Sequence, residues 1–230
     1  VLDAISRMKE KVGGEAPILG VVMSPFSLPV MQMGFDKYLD VMIEQPACFE
    51  QLMKVNEEFC VEWANSQLSA GATAIVYFDP VSSPTIISRD MYLKTGYPIA
   101  CRMIKRIEGA VATHLASGRC LPIMDELVQS GTVLVGVSAL EDLAELKRVC
   151  KKRMAMVGNL NAIEMRRWSD EETVEIVKDC IAKAGVGGGF ILSDNHGEIP
   201  FQVPDEVLSA ISAAVHEWGR YPLDWVSRYA

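Results

Sequence analysis

The sequence predicts an α/β architecture built on a parallel sheet, and three observations carry the prediction. Six short apolar runs rich in β-branched residues alternate with helical patterns along the chain. The runs are continuous and bounded by helices, the pattern of strands covered on both faces. Each ends at its carboxyl side in polar or special residues: Ser24, Asp79, His114, Ser138, Asn159 and the cluster Asp194-Asn195-His196. An open doubly wound sheet and a (β/α)8 TIM barrel both satisfy the first two observations. The third favours the barrel, whose strands bring polar side chains to one face. No Gly-x-Gly-x-x-Gly follows any strand, which weakens the dinucleotide-binding form of the open sheet.

Leu2 to Met8 opens the chain in a helical pattern that Gly13-Gly14 stops. Pro17 to Met23 reads as a buried strand running into Ser24-Pro25-Phe26-Ser27. Helices follow over 35–44 and 46–70, the second with Phe49, Leu52, Met53, Phe59, Cys60, Trp63 and Leu68 at helical spacing. Ala70-Gly71-Ala72 ends it, and Thr73 to Phe78 is the second strand, closed by Asp79-Pro80. A helix over 88–107 precedes the strand 109–114, and a helix over 121–130 precedes the strand 132–137. A helix over 140–150 leads to the strand 153–157, which ends in Gly158-Asn159-Leu160-Asn161. Helices over 163–167 and 170–184 lead to the strand 189–192. The last helix, 204–218, places Val207, Leu208, Ile211, Ala214 and Val215 on one face and His216 outward.

Half of the 230 residues are hydrophobic and 23% are charged, enough for one sizeable core, and no linker or low-complexity tract divides residues 1–230. The net charge of −8 argues against a nucleic-acid partner. Its basic doublets, including Lys151-Lys152-Arg153, fall at the ends of predicted helices, where solvated positive charge is ordinary. Six cysteines are widely spaced without a Cys-x-x-Cys pair, and Cys48, Cys60, Cys101 and Cys180 fall in amphipathic helices. Buried free thiols in a reducing cytoplasm fit that usage. With no signal peptide and no apolar run long enough for a bilayer, a soluble cytoplasmic protein is expected. The chain opens at Val1 inside a helical pattern and shows six strands of eight, so a fragment lacking roughly the first two strands is expected.

The stretch from Gly187 to Pro204 concentrates the chemistry. Three glycines and the strand Phe190-Ile191-Leu192 lead into Ser193-Asp194-Asn195-His196-Gly197. A rigid strand ending in a polar loop is where α/β proteins place reacting groups. A plain turn needs Asp, Asn and Gly but not histidine.

The ordered motifs Pro17-Ile18-Leu19-Gly20…Ser24-Pro25-Phe26-Ser27-Leu28, Ala70-Gly71-Ala72…Phe78-Asp79, Val157-Gly158-Asn159-Leu160-Asn161 and Gly189-Phe190-Ile191-Leu192-Ser193…His196-Gly197…Pro204-Asp205-Glu206 resemble the uroporphyrinogen decarboxylase superfamily. That superfamily includes cobamide-dependent methyltransferases. The resemblance spans nearly the whole chain and implies a distorted (β/α)8 barrel. It implies His196 and Asp79 as catalytic residues, with Ser24, Phe26, Asn159, Asn161 and Asp194 at the substrate. In the decarboxylases a substrate-contacting tyrosine stands where this chain has Met31, whose thioether cannot donate a hydrogen bond. In the methyltransferases zinc is held by a His-x-Cys and a last-loop cysteine, and it keeps an acceptor thiol ionised. Here His114-Leu115-Ala116 keeps the histidine only, and His196 stands for the last cysteine. The zinc set this leaves is His114, His196 and Cys120; for His114 a backbone-satisfied strand-end histidine, and for Cys120 a core cysteine, are the alternatives. The leading expectation is methyl transfer from a methylcorrinoid, presented by a corrinoid protein, to a thiol-type acceptor. A tetrapyrrole decarboxylase of porphyrin biosynthesis and a non-catalytic tetrapyrrole- or corrinoid-binding barrel are the alternatives, with a homodimer compatible with each.

Overall fold

The structure is a computed structural model that describes residues 1–150 and 153–229, so Lys151 and Lys152 of the basic cluster lie outside the described residues. It divides into two compact units, Val1–Val135 and the chain from Gly136 onward. All described strand pairs are parallel, and the six strands follow one another in the sheet in sequence order.

In the first unit, helix α1 (Leu2–Val12) stops at Gly13, whose φ of 59° suits glycine. It buries Ile5 against Ile18 and Ala72. Strand β1 (Leu19–Met23) leads to α2 (Leu28–Met33), α3 (Phe35–Glu44) and the 24-residue α4 (Pro46–Ser69). The sequence reading misses α2, because six residues containing a proline show no full helical period. Pro29 is nevertheless at home there, since the first turn of a helix needs no N–H from it. Strand β2 (Ala74–Phe78) precedes α5 (Arg89–Lys94) and α6 (Gly96–Ile104), which together replace the single helix expected over 88–107. The break falls at Thr95, whose hydroxyl bonds back to Met91 O at 2.6 Å and competes with the helical ladder. Strand β3 (Ala110–His114), α7 (Met124–Gln129) and the start of β4 (Leu134–Gly136) complete this unit.

Helices α4 and α6 cover one face of β1 to β3, where Val22, Ile75, Tyr77 and Val111 meet Cys60, Val61, Ala64, Ala100 and Met103. Each fully buried aliphatic side chain contributes about 1.5–3 kcal/mol here. The other face of β1 is open: Leu19 and Val21 are 57% and 54% exposed, so cover on both faces does not hold for this strand. The backbone of Val21 is capped instead by a side chain of α4. Gln67 Oε1 accepts from Val21 N and Gln67 Nε2 donates to Val21 O, both at 3.0 Å. Gly20 leaves room for that amide, since a Cβ there would stand 2.9 Å from Gln67 Oε1.

In the second unit, α8 (Leu143–Cys150) precedes β5 (Ala155–Leu160), and α9 (Asp170–Ala184) leads to β6 (Phe190–Asp194) and α10 (Asp205–Trp218). A capping box between Ser169 and Glu172 starts α9. Val177 and Ile181 of α9 pack with Ala214 of α10, flanked by Leu192, Trp218 and Trp225. Lys178 lies 4.7 Å from the Trp218 ring and 5.0 Å from that of Tyr229, a paired cation–π contact.

All six cysteines are free. Of the four expected to be buried in helices, Cys60 and Cys180 are, Cys101 is half-buried and Cys48 is exposed, because it sits on the outer side of the first turn of α4; Cys120 and Cys150 are buried too. No helix among the described residues is long and apolar enough to cross a membrane.

Candidate functional site

Register sets the height of the functional residues. Met23 pairs with Phe78 and Phe78 with His114, so β1, β2 and β3 end level and their loops begin together. In the second unit Leu160 pairs with Asp194, which brings the loops carrying Asn161 and His196 to one level.

Asp79 is the hub of the first unit. It is 2% exposed, and its Oδ1 accepts from Ser24 Oγ at 2.5 Å and from Ser27 Oγ at 2.6 Å. Ser24 Oγ in turn accepts from Ser27 N, and Ser27 Oγ accepts from Val81 N. One carboxyl thus latches the loop after β1 to the loop after β2. Burial raises the Asp79 carboxyl above its ordinary range, and the hydroxyls of Ser24 and Ser27 pull against that rise. Around it stand Tyr38, Tyr77 and Tyr92, all buried, whose phenols are raised first by burial and then by the nearby Asp79 charge. The hydroxyls of Tyr38 and Tyr92 make no hydrogen bond to the described residues. Phe26 lies wholly inside this region, edge-on to Tyr38 and to Phe49. Ser24 and Phe26, expected at the substrate, are therefore both fully enclosed, and Ser24 holds Asp79.

His114 ends β3. Its ring stacks on Phe78 with centroids 5.6 Å apart, and its Nδ1 accepts from Ala116 N at 3.0 Å. Ala116 reaches that position in the left-handed region, at φ 53°. Cys120, expected as a zinc ligand, is fully buried ahead of the turn 121–123.

In the second unit Asp194 shapes the last loop. Its Oδ2 accepts from His196 N at 2.8 Å and Gly197 N at 2.7 Å, the pattern of an aspartate that closes its own turn. His196 is half-buried behind Asn195, which is 3% exposed. The Asn195 amide lies between Ala139 N at 3.1 Å on one side and Leu160 O at 3.1 Å and His196 Nδ1 at 2.8 Å on the other, so its neighbours orient it with the oxygen toward Ala139 N and the NH2 toward Leu160 O and His196 Nδ1. Asn159 donates to Ser138 O at 2.9 Å and to Glu141 O at 3.3 Å, while Asn161 Oδ1 accepts from Ile163 N at 3.1 Å. Both line a cavity of about 310 Å³ with Trp168 and Cys180. Burial pushes the Cys180 thiol up to about 11, which keeps it protonated.

The donor set expected for zinc does not fit. A metal-bound imidazole gives one nitrogen to the metal and donates the other N–H to a neighbour. His114 and His196 both do the reverse, accepting at Nδ1, so the neutral ring carries its proton on Nε2. Ala116 offers no sulfur, and no group of three or more His, Cys, Asp or Glu side chains among the described residues is arranged to hold a metal. Sequence reasoning missed Ser27 and Asn195 as parts of these networks, and the three buried tyrosines that surround Asp79. A tyrosine on an otherwise apolar face, as at Tyr77 and Tyr92, was the available signal.

The family model described as uroporphyrinogen decarboxylase (URO-D) matches residues 1–218. A methylcobamide:CoM methyltransferase of Methanosarcina barkeri is 28% identical over 222 residues, covering 95% of this chain and 63% of that relative. A uroporphyrinogen decarboxylase of Actinobacillus pleuropneumoniae is 23% identical over 237 residues, covering 96% of this chain and 64% of the relative. The chain thus spans under two thirds of the length of these curated relatives. Among solved structures, a methyltransferase from Methanosarcina mazei superposes with a TM-score of 0.81 at 24% identity, over 95% of this chain and 64% of that one.

Proposed function

Because the chain belongs to the uroporphyrinogen decarboxylase (URO-D) family, we propose that it serves methyl transfer, moving a methyl group from a methylcorrinoid carried by a separate protein to a small acceptor. The observation that carries this reading is the 28% identity to a methylcobamide:CoM methyltransferase across 95% of the chain. Met31 in place of the decarboxylases' tyrosine supports the same branch; it is 74% exposed on α2 and offers no hydrogen-bond donor. The residues assigned to the reaction are His196 as a hydrogen-bond donor and Asp79 as the group that fixes the loops after β1 and β2. With no fitting zinc set, the acceptor is held by hydrogen bonds and not by a metal–thiolate bond.

A second reading is supported by the same histidine. Neutral N–H donors suit an acidic substrate, and a decarboxylase of tetrapyrrole acids acts without a metal; a decarboxylase relative covers 96% of the chain. One pair of assays separates the two. The protein is incubated with methylcobalamin and a panel of thiols, with and without a chelator, and in parallel with uroporphyrinogen under reducing conditions. Chelator-insensitive demethylation of methylcobalamin is the expected result; coproporphyrinogen formation without any methyl transfer would replace the first reading by the second.

A further inference from the structure

We propose that Asn195 is a positioning residue that sets the tautomer of His196, making it a neutral Nε2–H donor for an oxygen acceptor on the substrate and unfit to ligate a divalent cation. The inference stands on local geometry and holds for either reaction proposed above.

The orientation of the Asn195 amide is not free. One side of it faces Ala139 N at 3.1 Å, a group that can only donate, and the other faces Leu160 O at 3.1 Å, a group that can only accept. The side-chain oxygen must therefore point to Ala139 and the NH2 to Leu160. The same NH2 lies 2.8 Å from His196 Nδ1, which leaves that nitrogen only the role of acceptor. With Nδ1 accepting, the single proton of the neutral imidazole resides on Nε2. Reversing this would turn Nδ1–H against an amide N–H, inside a site where Asn195 is 3% exposed and water cannot intervene cheaply. The backbone shares in the arrangement: Asn195 N donates to Leu160 O at 3.1 Å, and Asp194 Oδ2 binds the N–H groups of His196 and Gly197. The loop backbone at His196 is thus fixed by Asp194, and the protonation pattern of the ring by Asn195.

The chemistry that follows is specific. An Nε2–H offers a hydrogen bond to a carboxylate or carbonyl oxygen and has no lone pair for a cation. Replacing the amide by a carboxylate would invert the arrangement. Asn195→Asp places an acceptor against Nδ1, draws the proton there, and exposes the Nε2 lone pair in the manner of a carboxylate–histidine–metal triad.

The test uses the full protein, uniformly labelled with 15N, and long-range proton–nitrogen spectra recorded where the rings are neutral by their own shifts. A His196→Gln variant assigns the His196 signals by their disappearance. In the wild type the His196 Nδ1 should resonate as an unprotonated nitrogen and Nε2 as a protonated one. In Asn195→Asp the two patterns should exchange, and added zinc should perturb the ring only in that variant. A wild-type His196 protonated on Nδ1, or one whose signals shift on zinc addition, would overturn the proposal even if the variant failed to fold.

Discussion

His196 stands on a loop, half-buried, and packs into no apolar core. Its replacement by alanine should abolish turnover and opens no core cavity; the Asn195 amide loses its His196 partner but keeps Leu160 O, so unfolding stability should fall by only about 0.5–1.5 kcal/mol, the net worth of one hydrogen bond. Activity assays paired with denaturant unfolding check this, and loss of soluble protein would mark the residue as structural. The cysteines make a second prediction at this scale. Burial pushes the Cys60 thiol up to about 12 and that of Cys180 to about 11, so both are protonated and shielded at neutral pH, while Cys48 is exposed. Iodoacetamide should label Cys48 first in the native protein and reach Cys60 and Cys180 only on unfolding, as peptide mapping would show.

Element by element, much of the fold was legible because hydrophobic period survives into structure. Strand β2 was expected over 73–78 and spans Ala74–Phe78, and α3 and α9 match the expected 35–44 and 170–184. What escaped was set by tertiary partners. The Ser24–Asp79 bond joins residues 55 apart, and nothing local to either strand announces it. The zinc set failed for a related reason: residue types at strand ends were visible, but the tautomer of His196 depends on Ala139 and Leu160, both distant in sequence. The Gln67 cap on β1 is another such pairing, and it is testable. Gln67→Leu keeps the bulk but leaves the Val21 N–H and C=O without their partners, at a cost on the order of 1–3 kcal/mol for each group that stays dry. Chemical denaturation should show the loss, and an unchanged midpoint would mean that solvent satisfies this backbone. Gly20→Ala should be destabilising through the same contact, because its methyl group would meet the Gln67 oxygen.

At the level of the whole molecule, the buried Asp79 links stability to pH. Its carboxyl titrates above the ordinary 3.8 in the folded protein, since burial outweighs the serine hydroxyls. The folded state therefore holds this proton more tightly than the unfolded chain does. The stability it contributes is fully present below about pH 3.8 and is lost as pH rises through the raised folded value. Asp79→Asn removes this term, so the stability of the variant relative to wild type should climb with pH across that window. Thermal unfolding of both proteins from mildly acidic to neutral pH reads the difference directly; parallel profiles would place Asp79 in a better-solvated setting than its 2% exposure implies.

The amide of Asn195 has a consequence for how such a protein changes over generations. Asparagine and aspartate codons differ by a single base, so a histidine that donates a proton and one that presents a lone pair to a metal are adjacent in mutational space. Gaining a sulfur ligand at Ala116 is farther away, because alanine and cysteine codons differ at two bases. Selection on a gene of this kind can thus exchange the character of its last-loop histidine readily, and gains a thiolate beside His114 only by a longer route.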